Sequence, residues 1–142
     1  MQVPVLAMAA EMETARKIYV EINRNDIPAA LAFFDPEAVR VEPAGFPSAG
    51  TYRGHAAILA HISAGRGTWA EGTCEPEQLI AAGDKVVVFL HVHVRLHGHT
   101  DWIDGRFADV CTFRDGKVIE FRTFGERQDA LDWAGAKAPD AA

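Results

Sequence analysis

One acidic residue, Asp109, stands inside an otherwise apolar strand pattern near the end of the chain. Two-residue alternation places it on the same side of a predicted strand as its apolar neighbours Phe107, Cys111 and Phe113. An Asp-Gly pair at 115 and 116 predicts a tight hairpin turn after this strand. If this side is buried, the carboxyl is costly to ionise and is expected to keep its proton. If it faces water, or if Asp109 closes an internal hydrogen-bond network, the role is structural, and the hairpin alone favours neither.

A second acid, Glu42, ends a short predicted strand and precedes a loop rich in Gly and Pro over residues 44–54. Two carboxyls in one apolar pocket do not both ionise easily, so the more buried one holds a proton and the more solvated one stays a base. Glu42 is therefore the candidate base and Asp109 the candidate acid. Such a pair suits proton transfer at a carbon next to a carbonyl. The alternative is that Glu42 only pairs with Arg40 or Arg53 at the surface.

The elements that must position these acids follow from periodicity and turn residues. Helical spacing predicts a first helix over 9–23, a second over 29–34 that Asp26 caps and Asp35-Pro36 stops, and a third over 55–63. The predicted strands cover 38–43, 68–79, 86–97, 102–114 and 117–124, and a short helix over 127–133 follows. This order predicts an α+β fold in which helices pack on one face of a mainly antiparallel sheet.

Size and composition predict a single globular domain over 1–142, with an ordered core over about 8–134 and a frayed tail over 135–142. The formal net charge of −6 leaves no basic footprint for nucleic acid or an anionic membrane. No apolar run has the length of a membrane span. Cys74 and Cys111 form no metal or disulfide pattern, and with no signal peptide they predict free thiols in the cytoplasm.

Four motifs in this order resemble the nuclear-transport-factor-2-like superfamily, specifically its SnoaL-like and ketosteroid-isomerase-like members. They are the helix pair broken at Asn25-Asp26, the string AVRVEPAG, the helix that starts at Gly54 and the hairpin ADVCTFRDGKVIEFRTF. The resemblance implies a cone-shaped, curved, mixed sheet with three helices on its concave face. It also implies a mostly apolar pocket for a small hydrophobic molecule and a homodimer through the convex face. No cofactor is expected.

The resemblance also implies roles for three residues. Glu42 stands where ketosteroid isomerases have the aspartate base of an Asp-Pro-x-Gly motif. Asp109 stands where they keep a protonated acid that donates a hydrogen bond to the developing enolate. Counted back from Asp26, the family's tyrosine falls on Ile18, and Tyr19 is one residue later. Tyr19 is the third catalytic candidate, although a rotation of about 100° leaves open whether its hydroxyl enters the pocket.

Other side chains are predicted to face the pocket because they share its side of a strand or lie on its loop. These candidates for ligand contact are Phe34, Phe46, Tyr52, Ile62, Val88, Leu90, Phe107, Cys111, Phe113, Phe121 and Thr123. Four histidines alternate on the opposite side of the 86–97 strand and beyond it, at positions 91, 93, 97 and 99. We expect them in a dimer interface or in water rather than on a metal, so that protonation near pH 6 would loosen a dimer.

Three functions fit this sequence. The first is an isomerase or cyclase that uses Glu42 and Asp109, and the second is a non-catalytic ligand-binding or interaction module of the same fold. The third, ranked well below, is an epoxide hydrolase, which needs an arginine between two acids. Arg95 and Arg122 both fall on the convex side, so the alternation predicts no such arginine in the pocket.

Overall fold

The computed structural model describes residues 5–137, which form four helices and one six-stranded sheet. The helices are α1 (Val5–Asn23), α2 (Ile27–Leu31), α3 (Gly54–Arg66) and α4 (Arg127–Ala134). The strands are β1 (Phe34–Glu42), β2 (Gly50–Arg53), β3 (Trp69–Ala82), β4 (Lys85–Leu96), β5 (Trp102–Arg114) and β6 (Lys117–Phe124). Most of the predicted frayed tail lies outside the described residues.

The sheet runs in the order β2-β1-β6-β5-β4-β3. The pair β1 and β6 is parallel, and the other neighbours are antiparallel, so the sheet is mixed. Helices α1, α2 and α3 pack on one face, and α4 packs on the other. This arrangement confirms the predicted α+β fold. The loop predicted over 44–54 is shorter than expected, because its second half forms β2 beside β1.

The second helix ends earlier than its sequence pattern predicts. Asp26 does cap it, since its carboxylate accepts a hydrogen bond of 3.2 Å from the backbone N–H of Ala29. The helix stops at Leu31, however, and Phe34 begins β1 instead of ending the helix. Phe34 pairs with Val118 of β6, and its ring meets the edge of Phe121 at 5.6 Å between centroids. The packing of this aromatic pair outweighs the local helical spacing.

Bulges bend the long strands around the helices. The register between β3 and β4 shifts between Trp69 and Glu71 and again between Pro76 and Gln78. Gly72 follows the first shift with a φ of +107°, and an added Cβ would stand 2.1 Å from the carbonyl oxygen of His93. Only glycine fits so close an approach of two backbones.

Alternate residues of β4 enter two different cores. Val88 and Leu90 are fully buried under the three N-terminal helices. Val87 and Phe89 point to the opposite face, where they pack with Leu131 of α4. The β4 alternation is therefore as predicted, and its histidines lie on the α4 face of the sheet.

The histidine surface carries an acid that the sequence analysis did not count. Asp104 Oδ1 lies 2.6 Å from His91 Nε2 and 3.0 Å from His93 Nδ1. The hydrogen bond from His91 is the main reason that the pKa of Asp104 lies below its usual range. The ring of His93 stacks on the exposed Trp102 at 4.6 Å. Within residues 5–137, no cluster of three or more His, Cys, Asp or Glu residues has metal-binding geometry.

The described helices are too short or too polar for a lipid bilayer. Over the part of the chain that the structure describes, none of them has the length and hydropathy needed to cross a membrane.

Candidate functional site

A cavity of about 220 Å³ lies between the sheet and the helices α1 and α3, below the loop that joins β1 to β2. Its lining combines apolar walls with several ionisable groups. The lining residues are Tyr19, Ile22, Arg40, Glu42, Phe46, Ser48, His61, Ile62, Gly65, Arg66, Trp69, Cys74, Phe107, Asp109, Phe121 and Thr123.

Asp109 of β5 is the most buried acid of this cavity, with 4% of its surface exposed. Its Oδ2 accepts a hydrogen bond of 2.5 Å from the Tyr19 hydroxyl, and its Oδ1 accepts one of 2.5 Å from Thr123 Oγ1. Burial raises the pKa of Asp109, although the positive charge of Arg40 and both hydroxyl donors oppose the rise. Asp109 is therefore both buried and part of a hydrogen-bond network, two alternatives that the hairpin pattern had left open.

Tyr19 of α1 reaches the cavity despite its one-residue offset from the family pattern. Its neighbour Ile18 is fully buried in the core, while the Tyr19 ring lies 6.3 Å from Phe121 and its hydroxyl ends at Asp109. Burial is the main cause of a raised pKa for Tyr19, and the carboxyl of Asp109 adds to the rise. The phenol is therefore a neutral hydrogen-bond donor at physiological pH.

Glu42, at the end of β1, uses its two carboxylate oxygens differently. Its Oε2 accepts a hydrogen bond of 3.1 Å from the backbone N–H of Ser48 and lies 3.4 Å from His61 Nε2. Its Oε1 faces the charged Arg40 Nη2 at 3.6 Å. The carboxylate side chain is 16% exposed. Oε2 is thus held in place, and Oε1 is the oxygen that remains available for chemistry.

A stacked pair of rings fixes the loop that carries Ser48. Tyr52 and His61 stack at 3.9 Å between centroids, and the Tyr52 hydroxyl donates a hydrogen bond of 2.8 Å to the Ser48 carbonyl. His61 Nε2 lies 3.2 Å from the same carbonyl. With Ser48 held on both sides, the loop places Phe46 over the cavity beside Gly125. This network positions the base and shapes the mouth of the cavity together.

Arg40 brings a charge to the cavity that the sequence analysis assigned only to a surface pair. Its Nη1 donates hydrogen bonds to the carbonyl oxygens of Val41, at 2.7 Å, and Phe121, at 3.3 Å. Its guanidinium lies 4.9 Å from the centre of the Phe121 ring. Arg40 lines the cavity, lies 3.6 Å from Glu42 Oε1 and lowers the pKa of Asp109, so one arginine of the cavity interacts with both acids. The expectation that alternation leaves no such arginine in the pocket is therefore wrong.

That prediction failed because it considered the arginines of β4 and β6 and left out the one on β1. Arg95 pairs with Glu71 and Arg122 with Glu120, both outside the cavity. Arg40 enters because β1 lies beside β6 with the side that carries Arg40 and Glu42 turned inward.

The structure brings eight of the fourteen predicted site residues to the cavity wall. These are Tyr19, Glu42, Phe46, Ile62, Phe107, Asp109, Phe121 and Thr123. The other six do not line it: Tyr52 stands behind His61, and five pack in the core, namely Phe34, Val88, Leu90, Cys111 and Phe113. Lining residues that the sequence analysis missed are Ile22, Arg40, Ser48, His61, Gly65, Arg66, Trp69 and Cys74. For His61 a signal existed, since it lies three positions after Ile58 on α3.

Comparison with known proteins supports the fold independently. The SnoaL-like domain family matches residues 15–121. A search of curated proteins finds no match to the sequence. Among solved structures, an NTF2-like protein of unknown function from Burkholderia pseudomallei is 25% identical, with a TM-score of 0.74, over 89% of this chain and 98% of that one.

Two further solved structures share the fold. TerC, co-crystallised with polyporic acid, is 25% identical with a TM-score of 0.73, over 88% of this chain and 97% of TerC. A proposed SnoaL-like polyketide cyclase from Jannaschia sp. CCS1 is 17% identical with a TM-score of 0.74, over 98% of this chain and 99% of that protein. The match spans the second half of α1, all of α2 and α3 and nearly all of the sheet, and the chain belongs to the SnoaL-like domain family.

Proposed function

We propose that this protein is an isomerase or cyclase that moves a proton at the carbon next to a carbonyl of a small hydrophobic substrate. The observation that carries the proposal is the contrast between the two acids of the cavity. Asp109 is buried with a raised pKa, whereas Glu42 stands at the wall with Oε1 in an ion pair with Arg40 and, among the described residues, in no hydrogen bond. An acid and a base with different surroundings in one cavity are the requirement for this reaction.

The donor half of the site follows from a count of hydroxyl protons. Tyr19, Thr123 and a protonated Asp109 carry three O–H protons, and their two mutual contacts use two of them. The third proton is free to bind a carbonyl oxygen. If Asp109 were ionised, the hydroxyl protons of Tyr19 and Thr123 would both be used in hydrogen bonds to its carboxylate. The raised pKa of Asp109 is thus what supplies a donor for the oxygen that gains negative charge in the enolate.

The base half of the site is Glu42 Oε1. It accepts the proton from carbon, while Ser48 and His61 hold Oε2. Return of this proton to another carbon completes an isomerisation, and attack of the enolate on a second carbonyl completes a cyclisation. The family and the proposed polyketide cyclase from Jannaschia support the fold on which this chemistry is proposed, and the co-crystallisation of TerC with polyporic acid supports a small-molecule ligand for a protein of this fold.

The test is proton exchange in heavy water. Wild-type protein is mixed with 2-tetralone, a small enolisable ketone, and loss of its α-proton signal is followed by NMR above the buffer rate. We expect Glu42→Gln to abolish the enzymatic exchange and Asp109→Asn to reduce it by about 10²-fold or more. Glu120→Gln on the opposite face of the sheet is the matched control and should exchange at the wild-type rate. Exchange that survives Glu42→Gln would refute the assignment of the base.

Arg40 interacts with both acids, and this favours a second candidate function, the hydration of an epoxide. There one acid would take a proton from water while the other protonates the opening epoxide oxygen. Arg40 contacts one acid and lies near the other, which is the observation behind this candidate. Formation of a diol from styrene oxide, lost in both Glu42→Gln and Arg40→Gln, would favour it over proton transfer. Ligand binding with neither activity would leave a non-catalytic binding module.

We further propose that two copies pair through the sheet face that carries His91, His93 and Trp102, and that the protein works in the cytoplasm. The exposed Trp102 on this face supports pairing, and two buried free thiols support a reducing compartment. Sedimentation of wild type and Trp102→Ala tests the pairing, and cell fractionation tests the compartment. A monomeric wild type would contradict the first proposal.

A further inference from the structure

We propose that the substrate of this cavity carries an anionic oxygen, such as a carboxylate, and that Arg40 binds it through Nη2. The inference rests on the proposed function, because it names the class of substrate: a compact carbonyl compound with one negative charge. It concerns recognition of the ligand and not the proton transfer itself.

Arg40 has hydrogen-bond donors that no described residue uses. The residue is 7% exposed, and within residues 5–137 all of its hydrogen bonds come from Nη1. Among the described residues its Nε is buried without a partner, and its Nη2 lies 3.6 Å from Glu42 Oε1, beyond hydrogen-bond length. A guanidinium has five N–H donors, and a buried charged group with unmet donors is costly. A ligand oxygen at Nη2 would satisfy this capacity.

The guanidinium of Arg40 is already held in place. Two backbone carbonyl oxygens bind its Nη1, and the face of the Phe121 ring lies beneath it. A fixed donor loses little conformational entropy when a ligand arrives. A charge-assisted hydrogen bond from such a donor is stronger than one between neutral groups.

The wall of the cavity carries more positive than negative charge. Among the lining residues, Arg40 and Arg66 are positive and Glu42 is negative, while the raised pKa of Asp109 favours its neutral form. Arg66 also donates to the carbonyls of Ile22 and Asn23 at the end of α1, at 2.8 and 3.0 Å, and it remains part of the wall. The two arginines against the single charge of Glu42 leave one positive charge in excess, which favours a monoanion over a neutral or cationic ligand.

Cavity size limits the rest of the ligand. The volume of about 220 Å³ is below the roughly 300–1000 Å³ of usual pockets for drug-sized ligands. The aromatic rings of Trp69, Phe107 and Phe121 line it. We therefore expect one or two fused rings in the substrate rather than the four of a steroid.

The experiment compares two probes of nearly equal shape. 2-Naphthoate carries a carboxylate where 2-acetylnaphthalene carries a neutral acetyl group. Affinity is measured by calorimetry and by quenching of tryptophan fluorescence, with Trp69 as the reporter in the cavity. We expect wild type to bind naphthoate at least about tenfold more tightly than the ketone. Arg40→Gln should remove this preference, whereas Glu42→Gln should strengthen naphthoate binding, because it removes the negative neighbour of Nη2.

Arg40→Gln and Glu42→Gln should change the affinity for naphthoate in opposite directions, which a general loss of structure cannot produce. Arg122→Gln removes the same charge outside the cavity and should keep the wild-type preference. Equal affinity for both probes in wild type, no saturable binding of naphthoate, or weaker naphthoate binding in Glu42→Gln would overturn the proposal. Binding needs no turnover, so a preference for naphthoate without proton exchange would contradict the proposed function alone.

Discussion

The buried acid makes a quantitative prediction about stability and pH. In the folded chain Asp109 has a pKa above its ordinary value of 3.8, because burial disfavours the charged form. In the unfolded chain the same carboxyl ionises near that ordinary value. Between these two pKa values the folded state binds one proton more than the unfolded state. The free energy of unfolding therefore falls as pH rises through this window, by about 1.4 kcal/mol for each pH unit.

The substitution that isolates this effect is Asp109→Asn. Asparagine keeps the shape and the hydrogen-bonding atoms but cannot ionise, so its own cost is a constant offset at every pH. Relative to wild type, the variant should gain about 1.4 kcal/mol for each pH unit that lies inside the window. Because Asp109 is only 4% exposed, screening by solvent should reduce this change in the free energy of unfolding only slightly. Below the unfolded pKa the difference between the two proteins should become constant.

The assay is urea unfolding of both proteins between about pH 4.5 and about pH 7.5, followed by tryptophan fluorescence. Glu77→Gln on the surface is the control for loss of a carboxylate. Hydrogen bonds from Arg127 and Arg106 lower the pKa of Glu77, and both arginines stay charged throughout, so its difference from wild type should stay flat above about pH 5.5. A flat difference for Asp109→Asn as well would mean that Asp109 is ionised in the folded protein. The proton count behind the proposed donor would then be wrong.

Three further predictions use other parts of the structure. Tyr19→Phe removes a hydrogen bond that lowers the pKa of Asp109, so in the same assay the steep window should extend to higher pH. Gly72→Ala should lower the free energy of unfolding by roughly 3 kcal/mol or more because of its close backbone contact, whereas Gly105→Ala, with its nearest atom at 3.7 Å, should change it by less than about 1 kcal/mol. If copies pair through the face that carries Asp104, its carboxylate offsets one of the two positive charges that His91 and His93 would carry in acid, and this opposes the loosening expected from sequence. Sedimentation should then give the same mass at about pH 8 and about pH 5.5 for wild type, and a lower mass at about pH 5.5 for Asp104→Asn.

Strand alternation was sufficient to locate the acid but not the strand beside its charged neighbour. Asp109 was predictable because a single carboxyl stands out on the apolar side of an alternating strand. Arg40 shares its side of β1 with Glu42, so alternation also places it toward the pocket, but its contact with Phe121 depends on the parallel pairing with β6. That pairing joins segments far apart in sequence, and local periodicity carries no information about it.

Tyr19 and Phe34 also show that local sequence patterns alone do not determine where a side chain lies. For Tyr19, a count along α1 left the direction of the hydroxyl open, and it is the packing of Ile18 in the core that turns the phenol toward Asp109. For Phe34, the local spacing predicted helix, and packing against Phe121 made it strand. Both outcomes depend on tertiary contacts between distant segments.

The parallel pair of β1 and β6 has a consequence for the order of folding. The strands β3 to β6 are joined by short turns and can form from local contacts, but Arg40 meets Phe121 across 81 positions, and Tyr19 meets Asp109 across 90. Closing such long loops is the slow part of folding. We expect β1 and α1 to dock last in refolding, which hydrogen exchange during refolding would reveal as late protection of their amides. Before that step a refolding chain would carry the sheet of β3 to β6, but Glu42, Arg40 and Tyr19 would not yet be placed beside Asp109. Ligand recognition would therefore begin only when β1 and α1 have docked.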